Sequence, residues 1–107
     1  MPVSEIDVEE LARRLDGGAV LIDVRNPDEY TAAHVPGARL LPLGELPYRT
    51  GEVPPDVQVL LICRTGNRSM VAAEFLSEQG VDAVNVAGGT KAWVESGRAA
   101  VEGADPS

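Results

Sequence analysis

Residues 57–69 read VQVLLICRTGNRS. The run from Val57 to Ile62 is mostly apolar and of strand length, which is typical of a strand buried inside a parallel sheet. Cys63 follows at the carboxyl end of this strand, and a short loop comes next. From Arg68 until Gly80 apolar residues recur at helical spacing, which predicts a helix of about three turns. The stretch therefore predicts a strand, a loop and a helix, with the only cysteine of the chain where the strand ends.

Helices and strands alternate on both sides of this unit. Short loops between such elements predict an α/β fold whose parallel sheet carries helices on both faces. Asp7 with Glu10 resembles a capping box for the first helix, and Asn26 before Pro27 is a helix start. The predicted helices are 8–15, a short one from 26, 68–80 and 90–96, and the predicted strands are 19–24, 38–43, 57–62 and 82–86. Residues 44–55 are expected to be irregular with one helical turn.

The length of 107 residues predicts one domain, 1–107, with its core at about 6–97 and a short, flexible tail beyond Gly97. Seventeen acidic and nine basic residues give a net charge of −8, which argues against nucleic acid and against an anionic membrane surface as partners. The apolar runs are too short to span a bilayer and the N-terminus lacks a signal pattern, so a cytoplasmic protein is expected.

One cysteine can form no disulfide within the chain, so anything that it carries must pass to another molecule. One histidine, His34, and one cysteine, far apart in sequence, make no recognisable zinc set, and neither a metal nor an organic cofactor is expected.

The position of Cys63 suits anion chemistry. Ligands of open α/β sheets bind beyond the carboxyl ends of the strands, and the unpaired N–H groups of a following helix favour a negative charge there. With Arg64 and Arg68 nearby, these groups could make the thiolate dominant without a separate general base. A buried structural cysteine is the alternative, but the polar, cationic loop after Cys63 favours reactivity.

Residues 63–69, CRTGNRS, closely resemble the active-site loop of rhodanese-type sulfurtransferases. Residues 21–25, LIDVR, with 29–30 and 34–38, HVPGA, look like the first signature of that family. Residues 86–89, VAGG, with Ala92 and Trp93 after them, look like its closing signature. The resemblance covers roughly Ile6 to Gly97.

This resemblance implies a small parallel sheet of about five strands flanked by helices, with Cys63 as nucleophile and persulfide holder. Such proteins move sulfane sulfur from thiosulfate or a persulfide donor to cyanide or a thiol, so the implied partners are a small anionic donor and a thiol or sulfur-carrier acceptor. The residues implied to bind substrate are Arg64, Thr65, Gly66, Asn67, Arg68 and Ser69. The residues interpreted as structural support are Asp23, Arg25, Glu29 and His34. Glu29 is expected to pair with Arg25, whereas Arg68 either faces the ligand or pairs with an acidic residue behind the loop.

Two other functions stay open at this point. A non-catalytic binding module or a persulfide relay to a dedicated protein would use the same domain. Cysteine-dependent phosphatases use C-x5-R loops, whereas here Cys63 and Arg68 are spaced as C-x4-R, which predicts a tighter ring of amides. A phosphatase or arsenate reductase is therefore less favoured.

Overall fold

A computed structural model describes residues 3–107, which form a five-stranded sheet with helices on both faces. All strand pairs are parallel, and the strand order is β1-β5-β4-β2-β3. The strands are β1 (Ser4–Ile6), β2 (Val20–Asp23), β3 (Arg39–Leu40), β4 (Val59–Ile62) and β5 (Ala83–Val86). The helices are α1 (Val8–Asp16), α2 (Pro27–Ala32), α3 (Asn67–Glu78) and α4 (Gly89–Glu95), with 3₁₀ turns at Leu46–Tyr48 and Thr50–Glu52. The predicted α/β class and parallel sheet are confirmed.

The sheet separates two apolar cores. Side chains alternate between the faces of a strand, so Leu61 and Cys63 face one core while Leu60 and Ile62 face the other. The first core includes the buried face of α3, where alanines 72 and 73 allow close packing on β4 and β5. The second core includes residues of α1 and α4. The helix after Cys63 is thus fixed by one core, and the final helix by the other.

Local signals explain the first two helices. Asp7 accepts a hydrogen bond from the N–H of Glu10 at 2.8 Å, which caps α1. Glu29 accepts one from the N–H of Asn26 at 3.2 Å at the start of α2, where Pro27 occupies the first turn. No helix within residues 3–107 is long and apolar enough to cross a membrane.

Two strands differ from the prediction. The strand β1 was not predicted, because three residues are too few to display an alternating pattern. The strand predicted at 38–43 shortens to Arg39–Leu40, and Pro42 lacks the N–H needed to continue a regular ladder. The region 44–55 contains two 3₁₀ turns where one helical turn was expected.

The tail beyond Gly97 forms hydrogen bonds with the rest of the domain. Val101 and His34 exchange two backbone hydrogen bonds of 2.9 Å, and the N–H of Gly37 donates to the carbonyl oxygen of Pro106 at 2.8 Å. The indole N–H of Trp93 donates to the carbonyl oxygen of Ala99 at 2.8 Å. These contacts use mainly backbone groups, so they leave no apolar pattern in the sequence.

Candidate active site

Cys63 follows β4 at the carboxyl edge of the sheet and is 1% exposed. Its neighbours in the sequence turn directly into α3, because Gly66 takes a left-handed φ of +112° that side chains rarely adopt. Three residues thus separate the thiol from the first helical residue, Asn67. This placement matches the position predicted from the sequence.

Hydrogen-bond donors surround the sulfur. The backbone N–H of Gly66 lies 3.1 Å from the Cys63 Sγ, and the Ser69 hydroxyl oxygen lies 3.2 Å from it. Burial raises the pKa of the Cys63 thiol, but hydrogen bonds from the Ser69 hydroxyl and from the amides of Ser69, Gly66 and Thr65 lower it by more. The net pKa is below the ordinary thiol value, so the site favours the thiolate.

The first turn of α4 helps to leave the N–H groups of the loop available as donors to the Cys63 sulfur. The carbonyl oxygen of Cys63 accepts hydrogen bonds from the N–H and the hydroxyl of Thr90, at 2.9 and 3.1 Å. The carbonyl oxygen of Arg64 accepts one from the N–H of Lys91 at 3.0 Å. These carbonyl groups are therefore bound to the first turn of α4 and do not compete with the sulfur for the loop N–H groups.

Gly89 permits this close approach. A Cβ atom at this position would lie 2.5 Å from the carbonyl oxygens of both Cys63 and Arg64, and the φ of Gly89 is +60°. The roles of Gly89 and Thr90 in the site were not predicted from the sequence. The only available signal was the Gly-Gly-Thr sequence, which a tight turn alone would also explain.

Arg68 and Glu29 form a bidentate ion pair between α3 and α2, with N–O distances of 2.7 and 2.9 Å. The hydrogen bond from Arg68 lowers the pKa of Glu29 to about 2, against the opposing effect of burial. The expected pairing of Glu29 with Arg25 is therefore wrong. Of the two roles considered for Arg68, the structure shows the pairing with an acidic residue, and its guanidinium connects the start of α3 to α2.

Arg25 instead pairs with Asp23 immediately after β2. Its Nε and a terminal nitrogen approach the Asp23 carboxylate at 2.9 to 3.1 Å, and the terminal nitrogen also donates to the carbonyl oxygen of Ala33 at 2.7 Å. Asp23 is fully buried and Arg25 is 6% exposed. A buried pair with these additional hydrogen bonds is consistent with the supporting role predicted for both residues.

His34 is also buried, but its contacts lie away from the thiol. The ring Nδ1 lies 2.8 Å from the carbonyl oxygen of Tyr30, and Nε2 lies 3.2 Å from that of Pro106. These contacts connect the end of α2 to the C-terminal tail. Both ring nitrogens of His34 therefore contact backbone carbonyl groups and not the Cys63 thiol.

Arg64 is the exposed cation of the loop. It has no ion pair in the part of the chain that the structure describes, and it lines an open groove together with Lys91 and Val94. Thr65 and Asn67 are exposed as well, and the contribution of Thr65 to the thiol comes from its backbone amide. Arg64 therefore carries the exposed positive charge of this loop that has no ion pair within residues 3–107, whereas the charge of Arg68 is paired with Glu29.

Behind the sulfur lies a hydrogen-bonded series of polar groups, Ser69, Asn85 and Glu5, that was not predicted from the sequence. The Ser69 hydroxyl oxygen is 2.5 Å from Oδ1 of Asn85, a fully buried residue of β5. The amide nitrogen of Asn85 donates to Glu5 at 2.8 Å and to the carbonyl oxygen of Gly66 at 3.1 Å. The signal was present as a single asparagine between Val84 and Val86 of an apolar strand.

Within residues 3–107, no three His, Cys, Asp or Glu side chains cluster closely enough to hold a metal ion. The chemistry that this arrangement offers is nucleophilic attack by a thiolate that hydrogen-bond donors hold in place.

Comparisons with known proteins identify the family of this chain. A sequence model described as "Rhodanese-like domain" matches residues 7–96. The chain is 40% identical over 98 residues to a protein named sulfurtransferase from Allochromatium vinosum, covering 89% of this chain and 92% of that one. It is 36% identical over 94 residues to YrkF of Bacillus subtilis, a candidate sulfur carrier protein by name, covering 85% of this chain and about half (51%) of that one.

A solved structure shares the fold. The crystal structure of a rhodanese-related protein from Thermoplasma volcanium has a TM-score of 0.86 to this chain at 32% identity, covering 92% of this chain and 97% of that one. The chain belongs to the rhodanese-like domain family. Its five-stranded parallel sheet is the fold of that solved neighbour.

Proposed function

We propose that this protein is a sulfurtransferase that carries sulfane sulfur as a persulfide on Cys63. The donor is a small anion such as thiosulfate or a persulfide, and the acceptor is cyanide or a thiol. The single observation that carries the proposal is that the Gly66 N–H and the Ser69 hydroxyl lie within hydrogen-bond distance of the Cys63 sulfur. Such a cradle stabilises negative charge on sulfur before, during and after transfer.

The loading step is a displacement at sulfur. The Cys63 thiolate attacks the outer sulfur atom of thiosulfate, a new S–S bond forms, and the S–S bond of thiosulfate breaks. Sulfite leaves with the electron pair of the broken bond, and the negative charge of the enzyme moves to the outer sulfur of the persulfide. No proton transfer is required, which is consistent with a lowered thiol pKa and with the contacts of His34, whose ring nitrogens face the carbonyl oxygens of Tyr30 and Pro106.

The unloading step returns the enzyme to its starting state. Cyanide attacks the outer sulfur, a carbon–sulfur bond forms, the S–S bond of the persulfide breaks, and thiocyanate leaves as Cys63 regains its thiolate. A thiol acceptor reacts in the same sense and leaves as a persulfide. Because these 107 residues hold no second cysteine, the acceptor is a group outside them.

The exposed charge of Arg64 favours an anionic sulfur donor. The protein has a net charge of −8, so a dianion needs local attraction to approach it. The exposed guanidinium of Arg64 supplies this attraction, whereas that of Arg68 is neutralised by Glu29. A thiol that must stay reduced between turnovers also fits a reducing compartment, so the proposal extends to a cytoplasmic protein.

The test is the mass of the intact protein after incubation with thiosulfate and desalting, with Cys63→Ser as the matched control. We expect the wild-type chain to gain one sulfur atom and the variant to gain none. Cyanide should then remove the added atom and release thiocyanate. Absence of an adduct with both thiosulfate and a persulfide donor would overturn the proposal, and turnover of a phosphate ester would be measured next.

A persulfide relay to a dedicated protein is the second candidate. The observation that favours it is the similarity to YrkF, which is a candidate sulfur carrier by name. The two functions differ in the unloading step. A relay would load with sulfur but discharge slowly to cyanide and to small thiols, and rapidly to a protein acceptor.

A further inference from the structure

Ser69 has one hydroxyl proton and two neighbours placed to receive it. Its Oγ lies 3.2 Å from the Cys63 sulfur and 2.5 Å from Oδ1 of Asn85. Ser69, like Asn85, is fully buried, so water does not supply a replacement donor. The hydroxyl can satisfy only one of these two acceptors at a time.

The orientation of Asn85 is fixed by its other contacts. Both hydrogens of its amide group are used, one toward the carboxylate of Glu5 and one toward the carbonyl oxygen of Gly66. Those two groups only accept hydrogen bonds, so the oxygen of the Asn85 amide must face Ser69. Glu5 is the register partner of Asn85 on β1, and neighbouring side chains of a parallel pair lie on the same face of the sheet.

We propose that Asn85 is a positioning residue that competes with the Cys63 sulfur for the hydroxyl proton of Ser69. While Cys63 is a thiol, its S–H donates to Ser69 and the Ser69 hydroxyl donates to Asn85. When Cys63 is a thiolate, the hydroxyl turns to the sulfur and Asn85 loses its donor. Asn85 therefore opposes charge on the inner sulfur and favours any state in which that charge is absent.

This inference deepens the proposed function and rests on Cys63 being the reactive group. In the persulfide the charge lies on the outer sulfur, so the inner sulfur needs the Ser69 proton less and Asn85 regains it. The resulting preference favours the loaded form of the enzyme. Asn85 does not touch the substrate and acts only through Ser69.

The test is the rate at which iodoacetamide alkylates Cys63 as a function of pH, which reports the thiolate without requiring sulfur transfer. Asn85→Leu removes the competing acceptor at similar volume. We expect the midpoint of the profile to fall by about 0.5 pH units, which corresponds to about threefold faster alkylation below the midpoint. A purely structural role in holding the Gly66 loop predicts the opposite, because a disordered cradle would raise the midpoint.

Two further variants complete a double-mutant cycle between Asn85 and Ser69. Ser69→Ala should raise the midpoint, since the thiolate loses a donor. Adding Asn85→Leu to Ser69→Ala should then have no effect, because no hydroxyl proton is left to compete for. An unchanged or raised midpoint in Asn85→Leu alone, or an equal effect of that substitution with and without Ser69, would overturn the proposal. The charged groups that face the loop stay the same in all variants: Glu5, Asp23, Arg25, Glu29, Arg64, Arg68, Lys91 and Glu95.

A measurement on the unmodified chain covers the case in which Asn85→Leu does not fold. The side-chain amide signals of Asn85 in ¹⁵N-resolved NMR should shift with the ionisation of Cys63 in the wild type and stay constant over that pH range in Ser69→Ala. Constant signals in the wild type would contradict the competition. Failure of sulfur loading with an intact alkylation profile would instead overturn the proposed function and leave the role of Asn85 standing.

Discussion

Two neighbouring strands end at the same edge of the sheet and lead to opposite arrangements. After β2, Asp23 and Arg25 form a buried pair in which the guanidinium is satisfied by a carboxylate and the carbonyl oxygen of Ala33. After β4, the Cys63 sulfur lies within hydrogen-bond distance of the Gly66 N–H and the Ser69 hydroxyl, and Arg64 stays without an ion pair within residues 3–107. The difference lies in whether the anionic partner of the cations is built into the chain or must come from outside. The first strand end is therefore closed and supports the fold, whereas the second is open to an anion.

The largest expected effect on stability comes from removing the Asp23 carboxylate at the closed strand end, after β2. Asp23→Ala leaves Arg25 buried without its carboxylate, and we expect the free energy of unfolding to fall by about 3–5 kcal/mol. Arg64→Ala is the matched control at the open strand end, and since this side chain is exposed we expect a change within about 0.5 kcal/mol. Chemical denaturation of both variants measures the difference. Similar losses in the two variants would contradict the distinction between the two strand ends.

Gly89→Ala should displace the loop after Cys63, at the open strand end after β4. The new Cβ atom would overlap the carbonyl oxygens of Cys63 and Arg64, so the loop or α4 must move. We expect a loss of about 1–3 kcal/mol in stability and a higher pKa of Cys63, because the amide cradle is displaced. Denaturation and the pH profile of alkylation measure the two effects. Gly51→Ala, where a Cβ would meet no atom within 4 Å, is the control.

Arg64→Gln should weaken the attraction of the anionic donor without changing the stability of the fold. We expect kcat/KM for thiosulfate to fall about tenfold, which corresponds to about 1.4 kcal/mol. The salt dependence of kcat/KM should weaken with it, while the unfolding curve stays unchanged. Arg13→Gln, on the exposed surface of α1, is the control for a simple change of net charge. An equal loss in both variants would show that Arg64 has no particular role.

The smallest effect concerns the ion pair between Glu29 and Arg68. The pKa of Glu29 is about 2 in the folded protein and thus below its ordinary value of 4.5, so the carboxylate stabilises the fold above about pH 4.5. This contribution is lost as the pH falls from 4.5 toward 2. Glu29→Gln should cost about 1 kcal/mol at pH 6, a value reduced because both side chains are partly exposed to solvent. The wild type and the variant should approach equal stability near pH 2, and a constant gap would contradict the pairing.

The sequence predicted the features that depend on neighbouring residues. The apolar run of β4, the helical spacing after Arg68 and the Asp7 cap are all local patterns, and each corresponds to an element of the structure. The position of Cys63 follows from them, since parallel strands present their carboxyl ends at one edge.

The sequence could not predict contacts between residues that are distant along the chain. Glu29 lies 39 residues before Arg68, and it has Arg25 as a nearer candidate partner, but Arg25 is already satisfied by Asp23. Asn85 and Ser69 meet only because β5 lies beside β4 under α3. Gly89 likewise shows its role only when the backbone of the loop is placed against it.

The two edges of the sheet have a consequence for aggregation. The edge strands β1 and β3 contain three and two residues, while the inner strands contain four each. An edge strand presents unpaired N–H and carbonyl groups that can recruit a strand from another molecule. Edges this short offer such a strand only a few hydrogen bonds, so the folded chain is a poor template for edge-to-edge polymerisation.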